Sequence, residues 1–498
     1  METEGEKLDL GQPGFKLSFE KHKFLLEGVT SQVMTVFEEI NRLPENNSSY
    51  KLKKKQFFGA HPVSLEKKHL KEISNPEVFH DFLVCEKTDG IRYLMYITNF
   101  GEVILSGRGD DFFLVRMPIP PAMVKQKEKD MSIMYIFDGE LVIDERGGEK
   151  WMVYLLFDAL VFHGQPVYSK PYSERLKYCL QFSSTRGDLF RLSKDLKIKR
   201  PGIVIDQASK FPRLKIAVKD FFQVDACAFI FNKMVPKLPH ENDGLIFTRN
   251  SVPYPVGATN NIIKWKPPEF NTIDFLIVNN PYWENQYGRR ILDLYVTRYN
   301  RINESNDFIL FDIMVVDEDT FNDIGEHLEI REAGDDIAYK NAGDSERKKY
   351  IAECKFDPHL NNDTINHVLE GYLDGIDQYV TDLLENSALS GGLTFDDDVR
   401  NNLHLCFDRK IKNMQGGWVI YKTRNDKNTP NAFNTAKNVF NCIAENITID
   451  DIEKEFESVT HHQPDPHAQP QQPNGKQTHN RPRMEEEPHT KKNLKPNF

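Results

Sequence analysis

Lys87 stands in the run Cys85-Glu86-Lys87-Thr88-Asp89-Gly90-Ile91-Arg92: a lysine, one spacer, Asp-Gly, one spacer and an arginine. Lysine is a poor nucleophile at neutral pH until its surroundings suppress the protonated form. This short segment supplies an amine, a carboxylate, a flexible glycine and a fixed cation, a set suited to covalent catalysis by the amine. The plain alternative is a charged turn after a strand, since Asp-Gly is a common turn dipeptide. The segment by itself leaves the two readings level.

Five further segments follow in order. Phe137-Asp138-Gly139-Glu140-Leu141-Val142, taken alone, reads as a hairpin with an Asp-Gly turn. Tyr154-Leu155-Leu156-Phe157-Asp158-Ala159-Leu160 reads as an apolar strand with Phe157 in the core. Asn242-Asp243-Gly244 leads into the apolar strand Leu245 to Thr248. In Lys264-Trp265-Lys266-Pro267 the two lysines, one residue apart on a strand, point to the same side, toward a triphosphate or toward solvent. Trp418-Val419-Ile420-Tyr421-Lys422-Thr423-Arg424-Asn425-Asp426-Lys427 comes last. Six ordered matches over residues 87–427 make chance a poor explanation.

Together these segments resemble the motifs of the covalent nucleotidyltransferases, which comprise mRNA capping guanylyltransferases and polynucleotide ligases. Asp243 to Thr248, Lys264 to Pro267 and Arg424-x-Asp426-Lys427 are most similar to the fungal type of capping guanylyltransferase subunit; ATP-dependent DNA ligases lack the last motif in this form. The resemblance implies that Lys87 attacks the α-phosphorus of GTP and that the lysine-bound GMP passes to the 5′-diphosphate end of RNA. It implies that Arg92 and Glu140 position the ribose, with Arg108 of Ser106-Gly107-Arg108 as a further arginine near the sugar. By the same resemblance Phe157 would stack on the purine. Asp243, with Glu140, would hold Mg²⁺ or Mn²⁺, which suit hard oxygen ligands. Lys264 and Lys266 would face the phosphates, and closure of a second domain would bring Arg424 and Lys427 onto the β and γ phosphates. Lys422 stands where the family has an arginine; it keeps the charge but loses the bidentate fork, and it is left out of the site.

The chain has no H-C-x-x-x-x-x-R phosphatase signature, so the resemblance implies a separate RNA triphosphatase subunit. A nuclear location and contact with the phosphorylated tail of RNA polymerase II are implied in the same way. Two rivals stay open: an ATP-dependent polynucleotide ligase, and a non-catalytic RNA-binding or polymerase-tail-binding module. The intact Lys87, Glu140, Asp243, Lys264 and Lys266 argue against the second.

Composition bounds these readings. With 75 acidic and 64 basic residues the net charge is -11, which argues against broad duplex binding but leaves room for a local basic cleft. The six cysteines are scattered with no C-x-x-C pair, so neither a zinc site nor a disulfide framework is indicated. Met1 to Lys7 is charged and lacks the apolar core of a signal peptide. No apolar stretch approaches the roughly 20 residues that span a bilayer, so no membrane partner is expected.

The expected fold is α+β. A nucleotidyltransferase domain of antiparallel sheets with flanking helices covers 1–267. An OB-fold β-barrel domain covers 268–429, with a helical insertion marked by Ile365, Val368, Leu369, Tyr372 and Ile376 at helical spacing. A helix within 430–458, striped by Phe433, Ala436, Phe440, Ile443 and Ile447, packs back on the first domain. Residues 459–498, rich in Pro, Gln, Asn, His and charge, cannot bury enough surface to offset chain entropy and read as a disordered polar tail.

Overall fold

The structure is a computed structural model of the 498-residue chain. It describes residues 11–46, 57–108, 111–115, 130–184, 190–191, 214–280, 290–300, 304–330, 338–339, 349–360, 414 and 416–460. The lysine-rich run at 51–55, the expected helical insertion and the polar tail beyond Thr460 lie outside them.

Three sheets carry the fold. The largest has the path β1 (Phe15–Leu17), β6 (Phe112–Leu114), β5 (Val103–Ser106), β4 (Ile91–Thr98), β7 (Ile133–Arg146), β8 (Glu149–Phe162), β11 (Lys215–Val218) and β10 (Phe190–Arg191), with β9 (Gln165–Pro166) paired to β8. Side chains alternate along β4, so its two faces join different cores. Leu94 and Tyr96 pack with α1 (Lys23–Asn41), whose Leu26, Val29, Val33, Phe37 and Ile40 recur at helical spacing. Tyr93, Met95 and Ile97 pack on the other face with Cys179 and Phe182 of α3 (Tyr172–Ser184). The helix between these two in sequence is α2 (Lys67–Ile73).

The second sheet has the order β12 (Phe222–Gln223), β3 (Phe82–Thr88), β13 (Asn242–Arg249), β14 (Ala258–Trp265) and β2 (His61–Ser64). The third runs β19 (Ala338–Tyr339), β17 (Ser305–Val316), β16 (Arg290–Asn300), β15 (Thr272–Asn279), β20 (Ile351–Asp357) and β21 (Gly417–Thr423), with β18 (Glu329–Ile330) paired to β15.

The chain is thus a mixture of helices and mainly antiparallel sheets. The sheets are not purely antiparallel as expected, because β10 on β11, β11 on β8, β2 on β14 and β18 on β15 pair in parallel. Among the described residues no ladder joins β21 to β17 or β19, so the third sheet does not close into a barrel by strand pairing. Asp138-Gly139 makes no turn: it lies inside β7 at a register shift, and the β7–β8 reversal is made by Gly147-Gly148, both at positive φ.

The apolar stripe at 433–447 is divided. Its helix, α4 (Phe433–Glu445), ends where Asn446 takes the left-handed conformation, and α5 (Ile449–Thr460) follows. Ala436, Phe440 and Ile443 join the core of the third sheet. Ile447, with Ile452, Phe456 and Val459 of α5, joins the core of the second. Polar bonds fix the second attachment: Trp265 Nε1 donates to the Ile447 carbonyl at 2.8 Å, and Glu445 accepts from the Lys67 amide of α2 at 2.6 Å. Among the described residues no helix is long and apolar enough to cross a membrane.

Phe456 is fully buried, with its ring edge-on to Phe79 at 5.4 Å. Phe456→Ala is expected to cost about 3–5 kcal/mol. Calorimetry should show an earlier transition, with amide protection lost first in β3 and β13; unchanged melting would show that α5 is not part of that layer.

Candidate active site

The lysine segment crosses from one sheet to another. Lys87 is near the end of β3 in the second sheet, Asp89-Gly90 make the crossing, and Arg92 opens β4 in the largest sheet. The seam between the sheets is a pocket of about 740 Å³. Lys87, Arg92, Arg108, Glu140, Phe157, Lys264 and Lys266 all line it.

Lys87 Nζ donates to Asp243 Oδ1 at 2.5 Å, and Lys266 Nζ lies 2.6 Å from Asp243 Oδ2. One carboxylate of β13 is therefore shared between two ammoniums from either side of it, Lys87 of β3 and Lys266 just past the end of β14. Asp243 takes this place because the β13–β3 register shifts between Asn242 and Gly244, which sets its side chain out of the ladder. Gly244 has φ 151°, and a β-carbon there would run into the Trp265 carbonyl oxygen, so only glycine permits the approach of β13 to β14. Lys264, on the same wall, has its pKa lowered, first by burial and then by the charges of Lys87 and Lys266.

Glu140 and Arg92 face each other across the β4–β7 ladder. The Thr88 hydroxyl donates to Glu140 Oε2. Lys219, nearly buried, donates to Thr88 Oγ1 at 2.7 Å and stands 3.5 Å from Glu140 Oε2. Burial alone would lower the pKa of Lys219, but the nearby acidic groups, Glu140 foremost, outweigh it and the net shift is upward. Arg92 is clamped from behind: Nε donates to Asp138 Oδ1 at 2.9 Å, a terminal nitrogen reaches Asp138 Oδ2 at 2.5 Å, and another reaches the Ala60 carbonyl. Tyr254 donates its hydroxyl to the same Asp138 oxygen at 2.5 Å. The Phe157 ring is partly exposed to the pocket, with Arg92 5.4 Å and Lys219 5.7 Å from its centroid. Arg108 is exposed at the rim, and its pKa is lowered first by burial of its base and then by Arg92.

Among the described residues no group of three or more His, Cys, Asp or Glu side chains forms a metal site by itself. Glu140 lines the pocket, and Asp243, which does not line it, stands behind two lysines that do, Lys87 and Lys266. The two carboxylates are a donor set that fits a hard divalent cation that completes its shell from phosphates and water.

Arg424 and Lys427 lie apart from the pocket lining. They follow β21 and are held on the third sheet. Arg424 forks onto Asp426 at 2.8 and 3.0 Å and donates to Asp274 Oδ1 at 2.9 Å, and Lys427 pairs with Asp274 Oδ2. The hydrogen bonds from Arg424 hold the Asp426 carboxyl well below the usual carboxylate range.

Sequence reasoning missed Lys219, Asp138, Tyr254 and Asp274. Lys219 and Asp274 carried a readable signal, a lone charge at the end of or inside an apolar strand, which has to find a partner. Tyr254 sits in the loop before β14 and carried none.

The sequence from 28 to 268 matches the family model of the mRNA capping enzyme catalytic domain, and 399–453 matches that of the mRNA capping enzyme C-terminal domain. The mRNA-capping enzyme subunit alpha of Schizosaccharomyces pombe is 34% identical over 235 residues, 44% of this chain and 53% of that protein. The same subunit of Neurospora crassa is 31% identical over 291 residues, 55% and 62% of the two chains. That of Saccharomyces cerevisiae is 34% identical over 247 residues, 46% and 50%. The matched region thus spans 50% to 62% of these relatives' length. With both domain models matched in order along the chain, the chain belongs to the mRNA capping enzyme family.

Proposed function

We propose that the chain is an mRNA guanylyltransferase, which moves GMP from GTP through Lys87 to the 5′-diphosphate end of RNA. The observation that carries this reading is the Lys87 amine at the wall of a nucleotide-sized pocket, in contact with Asp243 and beside the cations Lys264 and Lys266. The purine would lie on Phe157, with Lys219 at its edge, and the ribose between Arg92, Arg108 and Glu140. The clamp from Asp138 fixes the Arg92 plane before substrate arrives, so little ordering remains to be done on binding.

In the first step Lys87 Nζ attacks the α-phosphorus. The new N–P bond forms as the bond to the bridging oxygen of pyrophosphate breaks. Asp243 Oδ1, at 2.5 Å, is in place to accept the proton that Lys87 gives up. Lys264 and Lys266 neutralise the phosphates as charge moves onto the leaving group. Mg²⁺ or Mn²⁺ held by Asp243 and Glu140 would add further neutralisation there. In the second step a terminal oxygen of the RNA diphosphate attacks the same phosphorus. The P–N bond breaks, Lys87 recovers a proton, and the GpppN end leaves.

The domain assignment is part of this reading: 1–267 as the nucleotidyltransferase domain, and 268–429 as an OB-type domain. Trp418 of β21 donating to Asp312 of β17 at 2.8 Å links opposite ends of the third sheet and supports a barrel-like curl. Arg424 and Lys427 would leave Asp274 for the β and γ phosphates when this domain closes on the pocket. The relatives' designation as subunit alpha supports a partner, for which a separate RNA triphosphatase is the reading. Nuclear location and contact with the phosphorylated polymerase II tail go with it.

Protein incubated with α-labelled GTP and Mg²⁺ or Mn²⁺ should carry label through a denaturing gel, and Lys87→Ala should carry none. Label from ATP in place of GTP would make the chain a ligase; label retained in the mutant would remove Lys87 from the chemistry. Arg424→Ala should lower GMP loading by about 10²-fold with an unchanged melting curve, whereas normal loading would show that its ion pairs with Asp274 and Asp426 are only structural.

A further inference from the structure

A second recess, of about 180 Å³, adjoins the first at its phosphate end, with Lys264 and Lys266 forming the wall common to both. Its floor is the linker between β14 and β15, where Pro268–Phe270 make one 3₁₀ turn, and its far wall is α4. Phe270 lines it with 49% of its surface exposed. Among the described exposed aromatics it is the one that lines a cavity adjoining the pocket. Beside it, Asn271 Nδ2 reaches the Pro267 and Pro268 carbonyls only loosely, at 3.4 and 3.5 Å, so its carboxamide can turn to a ligand.

The recess is smaller than the roughly 300–1,000 Å³ that whole small-molecule ligands occupy. It suits one base. A single π face next to two cations is the arrangement that single-stranded nucleic acid uses, with the base stacked and the phosphates on the cations. Continuity with the pocket fixes which nucleotide that is. A diphosphate lying over Lys264 and Lys266 toward Lys87 leaves its own nucleoside on the Phe270 side.

We propose that this recess holds the first transcribed nucleoside of the acceptor RNA, its base on Phe270 and its 5′ phosphates on Lys264 and Lys266. This rests on the guanylyltransferase reading and adds to it an acceptor site separate from the GTP site. The site takes an unpaired 5′ end, because a recess of about 180 Å³ that suits one base has no room for its pairing partner.

The test uses the full-length protein charged with GMP and freed of GTP, and compares Phe270→Ala with Phe270→Tyr. Pyrophosphate, which restores GTP and has no nucleoside, is one acceptor. The others are a 5′-diphosphate oligoribonucleotide and the same oligomer abasic at its first position. Phe270→Ala is expected to load GMP and react with pyrophosphate as the unaltered protein does, while its KM for the intact oligomer rises about tenfold, the scale of one lost base stack. Phe270→Tyr should keep the original KM. The abasic oligomer should show the same rise with the unaltered protein and no further rise with Phe270→Ala. An unchanged KM, or two losses that multiply, would overturn the proposal. So would an equal fall in all three reactions, which would assign Phe270 to domain movement. Failure of the unaltered protein to load GMP at all would instead overturn the guanylyltransferase reading, and the acceptor site with it.

Discussion

The carboxylate of Asp243 is the contact on which the pocket depends. It stands between Lys87 and Lys266, with Lys264 close by, and without it three ammoniums would face one another in a part-buried cleft. Like charges so placed repel, and removing one partner of a part-buried pair leaves the others uncompensated, which costs more than the pair contributes. Asp243 reaches both lysines only because the ladder bulges at its own position and because Gly244 lets β14 pass close behind. The Asp-Gly pair is thus an ion-pair device and a backbone device in adjacent residues. On the proposed reading, substrate phosphates would bring their own negative charge to Lys264 and Lys266, and the repulsion that Asp243 relieves in the free protein would become binding energy for the nucleotide.

Around this contact, two buried networks tie the sheets together. Thr88 and Lys219 meet Glu140 across the seam, and Arg92 and Tyr254 meet on Asp138. Each network joins residues from different layers, so the pocket walls cannot slide without breaking charged hydrogen bonds in a place where water cannot replace them. The site is rigid where base and ribose would lie. The side toward the third sheet is less constrained, since only the 266–271 linker and the turn at Asn446 connect the β14 layer to it through the described backbone.

Much of the site was legible because its motifs are short and local. Lys87, Glu140, Phe157 and Lys264 each sit in a strand whose apolar neighbours marked it, Lys266 follows directly after one, and all five line one pocket. Asp-Gly at 138–139, taken alone, reads as a turn because local chemistry at that pair is the same in a turn and in a strand bulge; the long β7–β8 ladder decides for the strand. The parallel addition of β11 beside β8 was not legible, since it joins residues some 60 apart with no short-range pattern. The division of the 433–447 stripe was hidden for a related reason. Periodicity shows that a face is buried but not which core buries it, and Asn446 at its break is an ordinary polar residue until its left-handed conformation is seen.

The cations of the last motif make a further point about charge. Arg424 and Lys427 share Asp274, which is nearly buried, while Glu353 stands 3.6 Å from Arg424. Together with Asp426 these carboxylates occupy the cations as a polyphosphate would, in a setting partly open to water. Exchange of one set of anions for another therefore keeps most of the Coulomb energy on both sides, and the difference that decides between them is small. On the proposed reading, a domain held by such an exchange would close on a triphosphate and open again once pyrophosphate had left, because neither state would leave a guanidinium or an ammonium without a partner. Lys422 lies outside this exchange. It is exposed on β21 opposite Glu353, and a lysine there keeps the charge without the planar fork that a shared carboxylate would require.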